Sequence, residues 1–157
     1  MKITLIFVGK TVKSYLKEGE AEYDKRLKRY IKVDEIVIPE LKNASKLSEL
    51  EIKRKEGEFI LDKLSNSDDV VLLDDKGKEM SSLEMAKWID KFQIGGCKNL
   101  VFIVGGAYGF SDDVYTRAQH KLSLSQLTFS HQMVRMIFKE QLYRSYSILK
   151  GEPYHHQ

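Results

Sequence analysis

The sequence predicts an α/β fold: a mostly parallel sheet flanked by helices. Three observations point there. Apolar, largely β-branched runs of strand length occur at residues 3–8, 33–38, 70–73 and 100–104. Segments with helical apolar spacing separate them. Strands that alternate with helices form parallel sheets covered on both faces. The 157 residues make one domain, 1–157, large enough to bury a core without disulfides or metals.

Taken in order, the run 3–8 is a buried strand that ends at Gly9. A long helix follows, with Val12, Leu16, Tyr23, Leu27 and Tyr30 at helical spacing and Lys25, Arg26, Lys28 and Arg29 gathered towards its end. The second strand, 33–38, is closed by Pro39. Residues 45–64 read as a polar helix whose apolar positions are Leu47, Leu50, Phe59, Ile60 and Leu64, with Gly57 working against it. The third strand, 70–73, runs into Asp74, Asp75 and a turn at Lys76-Gly77. Ser81 or Ser82 caps the third helix, with Glu84 in its first turn. The fourth strand, 100–104, meets Gly105-Gly106-Ala107-Tyr108-Gly109 at once, and Asp112 and Asp113 open a short helix. Alternation over 122–129 predicts a fifth strand. Residues 132–149 form a last amphipathic helix, stopped by Gly151 and followed by a short tail.

Composition narrows the function classes. A formal charge of +3 is only mildly basic, so an RNA partner would require the charge to be concentrated on one face. Cys97 is the single cysteine, which excludes an intramolecular disulfide and a cysteine metal cluster and fits a reducing compartment. The first apolar run is too short for a signal peptide, and none approaches the roughly 20 residues of a membrane span. A cytoplasmic protein without membrane contact is expected. His120, His131, His155 and His156 contain no i, i+4 pair, so no metal site is expected. The chain has no Walker loop, dinucleotide fingerprint or Gly-x-Ser-x-Gly elbow.

Three features can carry chemistry. The glycines from Gly105 to Gly109 follow a buried strand, where backbone can approach a ligand at the carboxyl edge of a parallel sheet. Taken alone, they fit a tight turn equally well. Leu124, Ser125, Gln126, Leu127, Thr128 and Phe129, followed by Ser130 and His131, lead from a strand into a helix start with free amides and orientable hydroxyls. The last helix and tail interleave Arg135, Lys139, Arg144 and Lys150 with Tyr143, Tyr146, Tyr154, His155 and His156, a mixture suited to phosphates and stacked bases.

Together, MKITLIFVGK, FIVGGAYGF, LSLSQLTFSHQMVRMIFKEQLYRSYSILKG and the closing PYHH resemble one family across the whole chain. It is the ribosomal large-subunit pseudouridine methyltransferase H (RlmH) family of the SPOUT, or α/β-knot, superfamily. The resemblance implies a trefoil knot near the carboxyl end and S-adenosylmethionine as cofactor. Its cofactor contacts map onto Leu73, Gly105 and the six residues from Leu124 to Phe129. It implies a homodimer in which the partner's tail completes the site. The implied substrate is N3 of pseudouridine 1915 of 23S ribosomal RNA, in the assembled ribosome. His155, then His131, are the candidate general bases, since histidine titrates near neutral pH. Tyr154 would position or stack the base, and Arg144 and Arg135 would hold phosphate or stabilise charge. The alternative from another class is a non-catalytic RNA- or ribosome-binding module.

Overall fold

The computed structural model describes residues 1–156. Five parallel strands form one sheet in the order β2-β1-β4-β3-β5. They are β1 (Lys2–Val8), β2 (Val33–Ile38), β3 (Asp69–Glu79), β4 (Asn99–Val104) and β5 (His120–Ser123). The helices are α1 (Ser14–Leu27), α2 (Glu49–Asp62), α3 (Ser82–Ile94), α4 (Asp112–Arg117) and α5 (Met133–Leu149).

Successive strand residues point to opposite faces, and each face has its own core. Ile3, Leu5 and Phe7 of β1 and Leu100, Phe102 and Val104 of β4 pack with Leu27 of α1, Met85 and Ile89 of α3 and Phe138 and Leu142 of α5. Ile6 and Val8, with Val101 and Ile103, pack with Ile60 of α2 and Val114 of α4. Both faces are covered, which is why the strands read as unbroken apolar runs.

Three elements depart from the sequence expectation. The second helix starts after Ser48, whose hydroxyl accepts from the Glu51 amide while the Glu51 carboxylate accepts from the Ser48 amide. That capping box sets the start at Glu49, four residues beyond 45, and a short 3₁₀ turn (Ala44–Lys46) precedes it. The third strand does not end at Lys76-Gly77. It bulges after Leu73 and pairs again with β5 at Lys78 and Glu79. Gly77 is required there, because a Cβ would stand 2.6 Å from the Leu122 carbonyl carbon. The fifth strand stops at Ser123, and residues 124–129 leave the sheet.

Candidate active site

Sheet register gathers the site. Leu73 of β3 lies opposite Val104 of β4 on one side and Leu122 of β5 on the other. The bulge of β3 after Leu73 and the segments following β4 and β5 therefore lie side by side at the same edge. They wall a cleft of about 600 Å³ lined by Leu73, Asp74, Gly105, Gly106, Leu124, Ser125, Leu127, Thr128, Phe129 and His131, among others. Of the eight residues expected at a cofactor, seven line this cleft. Gln126 belongs to the same loop but is not part of the lining.

Each wall has a local cause. In the glycine turn, the positive φ of 82° falls on Gly109, whose amide donates to the Gly106 carbonyl at 3.2 Å. Gly105 and Gly106 are small for another reason. A Cβ on Gly105 would meet the Phe110 ring at 3.1 Å, and one on Gly106 would meet Glu56 Oε2 at 2.6 Å. In the third wall, side chains bend the backbone away from strand geometry. The Ser123 hydroxyl donates to the Ser125 carbonyl at 3.0 Å, and the Ser125 hydroxyl accepts from the Leu127 amide at 3.0 Å. Leu127 is left 73% exposed. The apolar–polar alternation of 122–129 thus belongs to a loop beyond Ser123.

The electrostatics of the cleft are set by carboxyls. Burial opposes ionisation of Asp74, but hydrogen bonds from the Tyr115 hydroxyl and the Lys76 amide outweigh it and hold its pKa below the ordinary value. Behind the glycine turn, Glu56 is buried, and its Oε2 has no hydrogen-bond partner. Burial, reinforced by the nearby Glu40 charge, raises its pKa.

A second cluster holds the tail. The Tyr154 ring meets the Tyr143 ring edge-on at 4.6 Å, and the Arg144 guanidinium lies 4.8 Å from the Tyr154 ring centroid. The Glu140 carboxylate accepts from the Tyr154 hydroxyl at 3.1 Å and from Arg144 Nε at 3.0 Å. Burial, then hydrogen bonding with Tyr23 and the Glu140 charge, raises the Tyr154 pKa, so its phenol stays protonated at neutral pH. Arg144 Nη1 stands 3.2 Å from His155 Nδ1. A guanidinium can only donate, so Nδ1 accepts and the ring proton sits on Nε2, which is buried and unpartnered. Arg144, Tyr154 and His155 are thus together, while His131 lies in the cleft. No residue of the tail lines that cleft.

Two cations expected on an RNA-facing helix surface are buried instead. Arg135 is fully buried, and it donates to the carbonyls of Val8 at 2.7 Å, Gly9 at 2.9 Å and His131 at 3.1 Å. Its donors are spent on backbone, so it is not available for phosphate. Lys139, 1% exposed, pairs with Glu20, Asp24 and Glu35 at 2.8–2.9 Å. Helical spacing places both on the core-facing side of α5, beside Phe138 and Leu142. Their charge reads as surface, yet the Val8 and Gly9 carbonyls that hold Arg135 and the acids that pair with Lys139 lie over 100 residues away in sequence.

Sequence reading missed Glu56, Tyr115 and Glu140. Only Glu140 left a signal, as the acid four residues before Arg144. Among the described residues, no group of three or more His, Cys, Asp or Glu could hold a metal ion, and no helix is long and apolar enough to cross a membrane.

Residues 1–155 match the family model described as "Predicted SPOUT methyltransferase". The chain is 52% identical to proteins named Ribosomal RNA large subunit methyltransferase H from Flavobacterium johnsoniae and Bacteroides fragilis, over the full length of both chains in each case. The fold resembles the structure of a "probable methylase family protein" from Haemophilus influenzae, with a TM-score of 0.52 and 10% identity, covering 99% of this chain and 70% of that one. That likeness concerns the fold alone.

Proposed function

The chain belongs to the SPOUT methyltransferase family and is an enzyme of the methyltransferase class, and from this we propose that it transfers a methyl group from S-adenosylmethionine to N3 of pseudouridine 1915 in 23S ribosomal RNA of the assembled ribosome. Its family membership decides against a non-catalytic ribosome-binding module. The observation that carries the proposal is the convergence of three backbone segments, the β3 bulge and the loops after β4 and β5, on one cleft. Leu73, Gly105 and the 124–129 loop together offer backbone amides and apolar side chains suited to an adenosine.

The residues present fit such a cofactor. Gly105 and Gly106 keep one wall flat at backbone level, and Leu73, Leu124, Leu127 and Phe129 supply apolar surface. Leu73, Gly105, Leu124, Ser125, Leu127, Thr128 and Phe129 would hold the cofactor. When bound, it supplies a methyl group already activated on a sulfonium, so the protein's task is orientation and proton management.

The target nitrogen lies between two carbonyls and must lose its proton as it attacks. In our reading His131, on the cleft wall, takes that proton. With Arg144 against Nδ1 and Nε2 buried, His155 serves to position the Arg144 guanidinium beside the ring as negative charge develops, rather than as the base. Tyr154, neutral and held by Glu140, stacks on or orients the ring. Arg144 adds positive charge beside it.

We also propose that the enzyme acts as a homodimer in the cytoplasm, with each tail facing the partner's cleft. Support comes from the separation of the two clusters within one chain, since the cleft lacks tail residues of its own. The reading includes a trefoil knot near the carboxyl end, one of the rare exceptions to unthreaded connections.

The test is methyl transfer from labelled S-adenosylmethionine to ribosomes from cells lacking this protein, with mass spectrometry of the large-subunit RNA. The expected product is a single methylated pseudouridine. Transfer to another nucleotide, or to none, overturns the assignment.

A further inference from the structure

The basic segment at the end of α1 is used neither by the cleft nor by the tail chemistry. Residues 25–32 read KRLKRYIK and carry five cations and no acid. The whole chain carries +3, so everything outside these eight residues sums to −2. The modest net charge therefore conceals one concentrated basic patch.

Ion pairing accounts for only part of it. Of its five cations, Arg26 and Lys32 are paired, with Glu22 and Asp34, while the remaining nearby acid, Asp24, is taken by Lys139. Lys25, Lys28 and Arg29 are exposed and make no ion pair among the described residues. The basic run of α2, Lys53-Arg54-Lys55, differs. Acids surround it at Glu49, Glu51, Glu56 and Glu58, and Arg54 pairs with Glu58 at 2.7 Å. Complementing the helix dipole also falls short as an explanation. That effect is confined to the last turn, whereas the cations continue past the helix end at Leu27 to Lys32.

The patch is continuous with the tail cluster. The Tyr30 hydroxyl donates to the Glu152 carboxylate, and the Arg26 guanidinium lies 5.4 Å from the Tyr143 ring, which itself packs on Tyr154. Arg29 stands 5.9 Å from the Tyr30 ring. Cations interleaved with the partly exposed Tyr30 and Tyr154 match the chemistry of folded RNA, where phosphates take the charges and unstacked bases take the rings.

We infer that the exposed face formed by Lys25, Lys28 and Arg29, beside the Tyr30–Glu152 contact, is a docking surface for the phosphate backbone of ribosomal RNA outside the reacting nucleotide. It rests on the RNA-methylating reading and adds to it where the RNA is gripped. The surface sits next to the tail that carries Tyr154 and His155, so a phosphate held there fixes the approach of the RNA to that tail.

The experiment compares the full-length protein with K25E/K28E/R29E and with a control, K42E/K46E, which reverses two exposed lysines elsewhere. Co-sedimentation with ribosomes is measured across a salt series, alongside thermal melting and the KM and kcat for ribosomes. The triple variant should bind ribosomes at least about tenfold more weakly, with a shallower salt dependence, and show a raised KM at little-changed kcat. Melting should stay unchanged, and the control should lose far less affinity. Equal losses in triple variant and control, or unchanged affinity and salt slope in the triple variant, overturn the docking surface. If the wild type binds ribosomes and transfers no methyl group, the methyltransfer reading fails while the surface stands. Methylation by the triple variant at wild-type KM has the opposite meaning.

Discussion

The Arg135 guanidinium donates a 2.7 Å hydrogen bond to the carbonyl of Val8, tying the first turn of α5 to the carboxyl end of β1. The same side chain holds the Gly9 carbonyl and, through Nε, the carbonyl of His131 on the cleft wall. Its own pKa is lowered by burial, with Glu20, Glu35 and Glu40 opposing the shift, and it remains a cation at any ordinary pH. Arg135→Met leaves buried carbonyls without donors, which should cost about 3 kcal/mol in urea unfolding. A loss below about 1 kcal/mol would mean that the carbonyls find other partners. Cofactor affinity, measured by calorimetry, should also fall, because the His131 wall loses its anchor.

Lys139 is the counter-charge for three acids, of which Glu20 is itself buried. Desolvation alone would lower the Lys139 pKa, but hydrogen bonds to Glu35 and Asp24 outweigh it and raise it. Lys139→Met should destabilise the fold by about 3–5 kcal/mol, since it strands a buried carboxylate. Adding Glu20→Gln should recover part of that loss. Additive losses in the double variant would show that the pair is not coupled.

Glu56 titrates against the fold. Its folded pKa lies above the unfolded value, so the ionised carboxylate destabilises the native state at every pH above the folded pKa. The penalty fades as pH falls through the folded pKa and is absent below the unfolded value. Glu56→Gln should therefore raise Tm at neutral pH, and the advantage should vanish below about pH 4. An equal or lower Tm at pH 7 would show that the carboxylate has a partner.

Gly77 has backbone, not a movable side chain, in the space a Cβ would take: the Leu122 nitrogen and carbonyl carbon lie 2.7 and 2.6 Å away. Gly77→Ala should cost about 3 kcal/mol and weaken the β3–β5 edge of the cleft. Gly96→Ala is the comparison, with open space around the Cβ position but a positive φ of 79°. It should cost only the conformational penalty of about 1 kcal/mol. Equal losses in chemical denaturation would remove the steric argument.

Much of this architecture is legible in sequence because burial on both faces leaves a coarse mark. Four of the five strands, the helices between them and the glycine turn after β4 follow from apolar runs and their punctuation. The fifth strand is legible but its bounds are not, because Ser123 and Ser125 use their hydroxyls to close turns within a segment that still alternates like a strand. Lys76-Gly77 carries a turn signal, yet β3 resumes beyond it, since only the partner strand decides whether pairing continues. The burial of Arg135 and Lys139 was not legible either. It depends on carbonyls and carboxylates brought in from the first 35 residues. The grouping of Arg144, Tyr154 and His155 was visible as composition, while the tautomer of His155 required the Arg144 contact.

The proposed convergence of three backbone segments on one cofactor is tested most directly by amide hydrogen exchange with and without S-adenosylmethionine. Binding should slow exchange together at residues 73–75, at Gly105 and Gly106 and across 124–129, with the basic end of α1 unaffected. Unchanged exchange in those three segments under saturating cofactor, or protection confined to some other surface, would contradict a shared cradle at the carboxyl edge of the sheet.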